Sequence, residues 1–302
     1  MEVQMNKTLF SLGLIVLLLS AGAAFSAQEK PAERVVVPFS NPAKPGVVEI
    51  DSMRGSITVK AYQGKEVIVE ARVREKAISE ERAVAGTVRE AREETEREAR
   101  EEKPGRDKAG LKLIQAATSG LTVEEADNVV SIDVESWKMA VDLVVQVPAS
   151  CSLNLSNQMG GTISVAGVSG DFEVENMNGA IDLQGISGTV VADTMNGEIK
   201  VTFAKINQDK PMSFSTMNGD IDITLPADVK ASFKLKSDRG NIYSDFDMNV
   251  RETSQKQEED KRKEGGKYRI TFEKTIAGTI NGGGVELTFN TFQGDIYIRK
   301  AK

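Results

Sequence analysis

The chain has 302 residues, 45 acidic against 38 basic, a net charge of −7, one cysteine and no histidine. The missing histidine excludes Ser-His-Asp and Cys-His catalysis and histidine-based metal sites, and a single cysteine excludes an intrachain disulfide. Charges of both signs on a net negative chain argue against a nucleic-acid surface.

Residues 1–26 read as a signal peptide. Lys7 gives a basic start, residues 9–19 are almost wholly apolar, and small residues follow at 21–24. Ala24-Phe25-Ser26 fits a small-x-small cleavage site, so the cut is expected after Ser26. The apolar run is short for a membrane span. The mature chain is thus expected to be exported, to the periplasm or cell surface, without a transmembrane span. Residues 27–46, with Pro31, Pro38, Pro42 and Pro45, read as an extended lead-in.

A single β-repeat domain is expected over 47–302. Strand patterns occupy 47–50, 56–62 and 66–71, with turns at Gly55 and Gly64. Residues 78–103 differ. They are dense in Glu and Arg, and Val84, Val88, Ala91, Thr95 and Ala99 recur at helical spacing. That spacing predicts a charged, amphipathic α-helix inserted between β elements and ended by Pro104-Gly105.

Strand patterns resume at 111–114, 121–123 and 129–134, with Asp127-Asn128 as a turn. The near-continuous apolar run 139–147 predicts a strand buried on both faces. Trp137 is expected at the edge of the core and Cys151 within it.

Residues 171–226 carry the clearest signal. Met-Asn-Gly recurs at Met177-Asn178-Gly179, Met195-Asn196-Gly197 and Met217-Asn218-Gly219, about 18 and then 22 residues apart. Each is embedded in period-two alternation, with Phe172 and Val174 on one face and Glu173 and Glu175 on the other. Degenerate copies surround Gly55, Gly161, Gly240 and Gly294. One unit cannot bury its own apolar face, whereas stacked units build a continuous core.

The fold class expected is therefore all-β: a β-solenoid-like stack of two-strand repeats with the helical insert. An antiparallel meander also fits, because Asn-Gly is a hairpin signal. Asn178, Asn196 and Asn218 read as turn chemistry and Met177, Met195 and Met217 as packing at the corner of the stack.

Carboxylates are the remaining candidates for chemistry. Asp182, Glu198, Asp220, Asp222 and Asp295 follow repeat glycines, and stacking would gather them on one surface. Such rows can bind Ca²⁺ or serve as acid and base. Lys200 interrupts the row, and the reading adopted is a solvated polar face. No catalytic, cofactor-binding or metal-binding residue is assigned. Residues 249–267 read as a charged surface loop or hairpin tip. Strands at 268–272, 285–289 and 295–299 close the body, with the charged residues 299–302 blunting an exposed edge.

Val147-Pro148 ends one strand, and units of the form x-x-Asn-Gly-x-Ile-x-Val follow it. Gly46-Val47-Val48-Glu49-Ile50 leads to Gly55-Ser56-Ile57-Thr58-Val59 near the start. In these marks the chain resembles the bacterial DUF4097 family of β-strand-repeat proteins, which carries a candidate-adhesin label. The resemblance implies an exported, non-enzymatic, β-solenoid-like protein and brings no catalytic residues with it. The function expected is adhesin-like binding or scaffolding at the bacterial cell envelope, with an envelope protein or a glycan as partner. The alternatives are a cell-envelope stress or regulatory component that contacts a signalling partner, and a carbohydrate-active parallel β-helix enzyme.

Overall fold

Alternating apolar and polar residues can bury one face of a strand and solvate the other, and this chain repeats that pattern on every coil. The computed structural model describes residues 33–74, 119–137, 139–260 and 268–302. Among these there is no helix. The signal peptide at 1–26, the helix expected at 78–103 and the strand expected at 111–114 lie outside the described residues.

The strands in chain order are β1 (Glu33–Pro38), β2 (Gly46–Ser52), β3 (Ile57–Tyr62), β4 (Glu66–Arg74), β5 (Leu121–Ala126), β6 (Val129–Val134) and β7 (Ala140–Pro148). They continue as β8 (Cys151–Asn157), β9 (Ile163–Ala166), β10 (Ser169–Asn178), β11 (Ile181–Asn196), β12 (Ile199–Ile206), β13 (Met212–Asn218) and β14 (Ile221–Leu225). The remainder are β15 (Ala231–Ser237), β16 (Ile242–Ser244), β17 (Asn249–Asp260), β18 (Tyr268–Ile280), β19 (Val285–Gln293) and β20 (Ile296–Lys300).

Two ladders run side by side along the stack. The first has the order β5–β6–β2–β8–β10–β11–β13–β19–β15–β18–β17. The second has the order β1–β4–β7–β3–β9–β11–β12–β14–β20–β16. Pairing from β6 to β15 and from β7 to β16 is parallel throughout, so the stack is a solenoid and not a meander. Antiparallel strands cover its ends: β5 on β6, β4 and β1 on β7, and β18 and β17 on β15. β11 serves both ladders. Its residues 181–184 pair with β9 and β12, and its residues 191–196 pair with β10 and β13. The ladder register shifts between them at Gly185, whose φ of +59° suits glycine.

A coil is one strand from each ladder, joined by a glycine turn in every coil but β6–β7, and coils do not stack in chain order. β2–β3 lies between β6–β7 and β8–β9. At the other end β19–β20 lies between β13–β14 and β15–β16. Near each end, a coil from elsewhere in the chain is thus inserted beneath the terminal coil, β2–β3 beneath β6–β7 and β19–β20 beneath β15–β16.

Inward side chains of both ladders form one core cluster, from Val48 and Ile50 through Leu153, Ile181 and Phe214 to Ile298. Each such Val, Leu or Ile contributes about 1.5–3 kcal/mol on burial. Phe289 stacks on Phe214 at 5.1 Å and on Phe233 at 6.0 Å, so β19 is gripped from both neighbouring coils. Cys151 is fully buried, as expected.

Several expectations are corrected. β7 is not buried on both faces: Asp142, Val144 and Gln146 are half-exposed between the buried Val141, Leu143, Val145 and Val147. Trp137 is 71% exposed and covers no core edge. The charged loop at 249–267 is a strand through Asp260, because β18 satisfies its backbone along its whole length. β20 is paired on both sides at residues 296–298, whereas Arg299 and Lys300 pair only with β14, so the charged tail flanks an edge no longer than the end of that strand. The lead-in is tied down as well: β1 pairs with β4, Ser40 donates to Glu125 at 2.8 Å, and Phe39 is buried.

Asp127-Asn128 forms the predicted turn between β5 and β6, both residues having positive φ, 53° and 70°.

Candidate binding surface

The repeat glycines form one column. In space it runs Gly55, Gly161, Gly179, Gly197, Gly219, Gly294 and Gly240, and a Cβ on any but the first would lie 1.8–2.1 Å from the carbonyl oxygen of the glycine before it. On Gly55 it would meet the Val141 carbonyl oxygen at 1.9 Å. No side chain fits in such a contact, so glycine is required by close approach.

A second column, buried except at Ser237, bonds these glycine carbonyls. Asn157 donates to Gly55 at 2.7 Å and Asn176 to Gly161 at 2.9 Å. Thr194 donates to Gly179, Thr216 to Gly197 and Thr291 to Gly219, each at 3.1 Å, and Ser237 donates to Gly294 at 3.0 Å. Buried carbonyls must be satisfied, and these side chains supply donors where a turn interrupts the ladder. Ser52 holds the equivalent place in β2, but its buried hydroxyl has no partner. β7 offers no glycine turn there.

Outside the column the three asparagines make an amide ladder. Asn196 donates to Asn178 and Asn218 donates to Asn196, both at 2.8 Å. The side chains therefore link coil to coil and are not simply turn residues.

The methionines are placed where the sequence did not suggest. Met177, Met195 and Met217 sit between paired register positions, so they form a row that Phe292 extends. All four are 43–51% exposed. Beside them a shallow groove of about 380 Å³ is lined by Gln158, Glu175, Met177, Asp193 and Met195 among others.

The predicted carboxylates fall on two rows of the second ladder and do not converge at one point. Asp182 and Asp222 share an outward row of the second ladder with Lys200 between them in register. Asp220 and Asp295 lie on the turn row and serve the backbone: Asp220 accepts from the Asp295 N–H, and Asp295 from the Asn241 N–H, both at 2.7 Å. Glu198 precedes the paired Ile199 on that same row. Among the described residues no group of three or more acidic or cysteine side chains is placed to hold a metal ion.

Asp51 and Asp133 are direct partners on the outer face of the first ladder. Partial burial, followed by the charges of Asp51, Glu135, Glu124 and Glu49, holds the Asp133 carboxyl above its ordinary range. Asp171 behaves oppositely. Hydrogen bonds from Lys210 and Thr189 hold it below that range. Burial pushes the Cys151 thiol up to about 12, so it is no nucleophile.

The second ladder's outer face ends in aromatics. Tyr243 and Tyr297 stack at 5.2 Å, and the Arg299 guanidinium lies 5.1 Å from the Tyr297 ring while donating to Asp222 at 2.7 Å. That bond raises the Arg299 pKa further. A hydrogen bond to Asp295 raises that of Tyr297.

No curated protein matches the chain. Two solved structures are similar. One is a candidate cell adhesion protein from Clostridium sporogenes, 9% identical with a TM-score of 0.37, the match covering 89% of this chain and 100% of that one. The other is a candidate adhesin from Bacteroides fragilis, 10% identical with a TM-score of 0.35, covering 90% and 98%. Residues 153–281, from β8 to the turn after β18, match the family model described as Toastrack DUF4097, the family that the repeats resemble.

Proposed function

We propose that this chain is an exported, non-enzymatic, adhesin-like protein that binds a glycan or another envelope protein, or acts as a scaffold, at the bacterial cell envelope. The observation that carries the reading is the variation along an outward row. In register, Thr58, Ser164, Asp182, Lys200, Asp222, Tyr297 and Tyr243 follow one another across the second ladder. A reaction centre needs particular groups converging at one place. A row like this instead offers shallow contacts spaced about 4.8 Å apart over many coils, which suits an extended partner. Family membership by itself fixes no activity.

The test is to screen the mature protein against glycans and envelope extracts, together with polysaccharide cleavage, and then repeat both with Asp182→Asn and Asp222→Asn. Binding without turnover, weakened gradually by each substitution, supports the reading. Turnover in the parent that one substitution abolishes overturns it.

A further inference from the structure

The row Met177, Met195, Met217 and Phe292 leaves four large apolar side chains about half exposed on adjacent coils. Contiguous apolar surface of this kind marks an interaction site, and methionine suits one because its side chain adapts to what it meets. A row of opposite character runs beside it. In register across the first ladder stand Asp133, Asp51, Ser156, Glu175, Asp193 and Ser215. Among the described residues Asp51, Asp133, Glu175 and Asp193 have no ion-pair partner, although other carboxylates of the same face do: Asp171 pairs with Lys210 and Glu286 with Lys234. The groove between the two rows is lined from both sides, by Met177 and Met195 and by Glu175 and Asp193.

We propose that this groove, within the binding role argued above, docks a cationic amphipathic helix of a partner protein. Three features select that occupant. The apolar row calls for an apolar stripe, and the unpaired carboxylates call for Lys or Arg along its flank. An extended peptide cannot add as a strand here, because β8, β10, β11 and β13 are each paired on both sides. Recognition must therefore be by side chains, from a partner whose backbone is already satisfied. The coil spacing of about 4.8 Å is near the 5.4 Å pitch of an α-helix, so each turn can set one apolar residue against each coil. Anionic lipid is disfavoured by the same carboxylates.

The probe is a synthetic, amidated 14-residue peptide with Leu on one helical face and Lys on the other, titrated into the mature protein and followed by fluorescence anisotropy. Glu replaces Lys in one control, and the apolar face is broken by reordering in another. The parent should bind the Lys peptide and neither control. Met177→Ser with Met195→Ser should weaken binding at least tenfold. Glu175→Gln with Asp193→Asn should weaken it at least threefold at low salt and flatten its salt dependence. Tyr243→Ser, on the other ladder, should change it less than twofold. All these side chains are exposed, so melting curves should match the parent; if the methionine pair fails to fold, the carboxylate pair decides. Failure of the parent to bind, equal binding of the Glu peptide, or indifference to both pairs of substitutions overturns the proposal. Glycan or envelope-extract binding that persists without peptide binding removes the helix groove and leaves the broader reading standing, whereas loss of both removes both.

Discussion

Gly197 lies so close to Gly179 that a Cβ on Gly197 would meet the Gly179 carbonyl oxygen at 2.1 Å. The obstacle is backbone, which cannot swing aside as a flexible side chain would. Gly197→Ala should therefore cost about 3 kcal/mol, near the top of the range for overpacking. Gly185 provides the contrast. A Cβ there meets nothing within 4 Å, so only its φ of +59° resists substitution. Gly185→Ala should cost about 1–2 kcal/mol. Urea melts of the two variants check the order. Equal losses would show that the column is not sterically closed.

The buried hydroxyl column makes a second expectation. Thr216→Val keeps the shape of the side chain and removes the donor to Gly197, so it should cost about 1–2 kcal/mol. Ser52→Ala removes a buried hydroxyl that already lacks a partner and should change stability by less than about 0.5 kcal/mol, or raise it. Chemical denaturation of both variants distinguishes bonded from orphaned members of one column.

Asp133 gives a pH dependence of defined sign. Its folded-state pKa is raised, by partial burial and then by Asp51 and the nearby glutamates. The native state therefore holds that proton more tightly than the unfolded chain does. Ionised Asp133 lowers stability at pH 7, and this loss is recovered as the pH falls through its folded pKa toward the ordinary Asp value. Asp133→Asn should raise Tm at pH 7. The gain should shrink in 1 M NaCl, which screens the like charges, and disappear at pH 3. A gain that is larger at pH 3 than at pH 7 would contradict the assignment.

Cys151 should be silent to thiol reagents at pH 8. It is buried, and its thiol is pushed up to about 12. Labelling with a maleimide should proceed at the rate at which the native chain opens and become immediate in 6 M guanidinium. Rapid labelling of the native protein would place the residue outside the core.

Much of this architecture can be read directly. Period-two alternation marks the strands because one face of each is buried, and the repeat glycines stand out because each lies against another backbone. Asp127-Asn128 is legible because few non-glycine residues accept positive φ. The order of the coils is not. Nothing local in 285–300 distinguishes a neighbour of β13 from a neighbour of β15, and the strand pairs with both. β17 escapes for another reason: its pairing with β18 is a backbone matter and leaves no apolar alternation to detect. The methionine row misleads because a methionine beside a turn has the composition of a packed corner, and only the register shows that it faces outward. The carboxylates Asp220 and Asp295 mislead similarly, since capping the next coil and binding an ion call for the same side chain.

The position of β19–β20 between β13–β14 and β15–β16 bears on how the protein can be assembled. A solenoid whose coils stack in chain order can grow as its chain emerges, each new coil settling on the last. Here β15–β16 is synthesised before the coil on which it rests, and it must wait, unpaired on that side, while β17 and β18 pass. The pairs Phe233–Phe289 and Phe214–Phe289 close this gap together. Until they do, both ladders present open edges and uncovered phenylalanines, the surfaces from which misassembly starts. Folding of this end should therefore be slow and all-or-none, and a factor that shields nascent chains should matter most while residues 231–284 are waiting for 285–300.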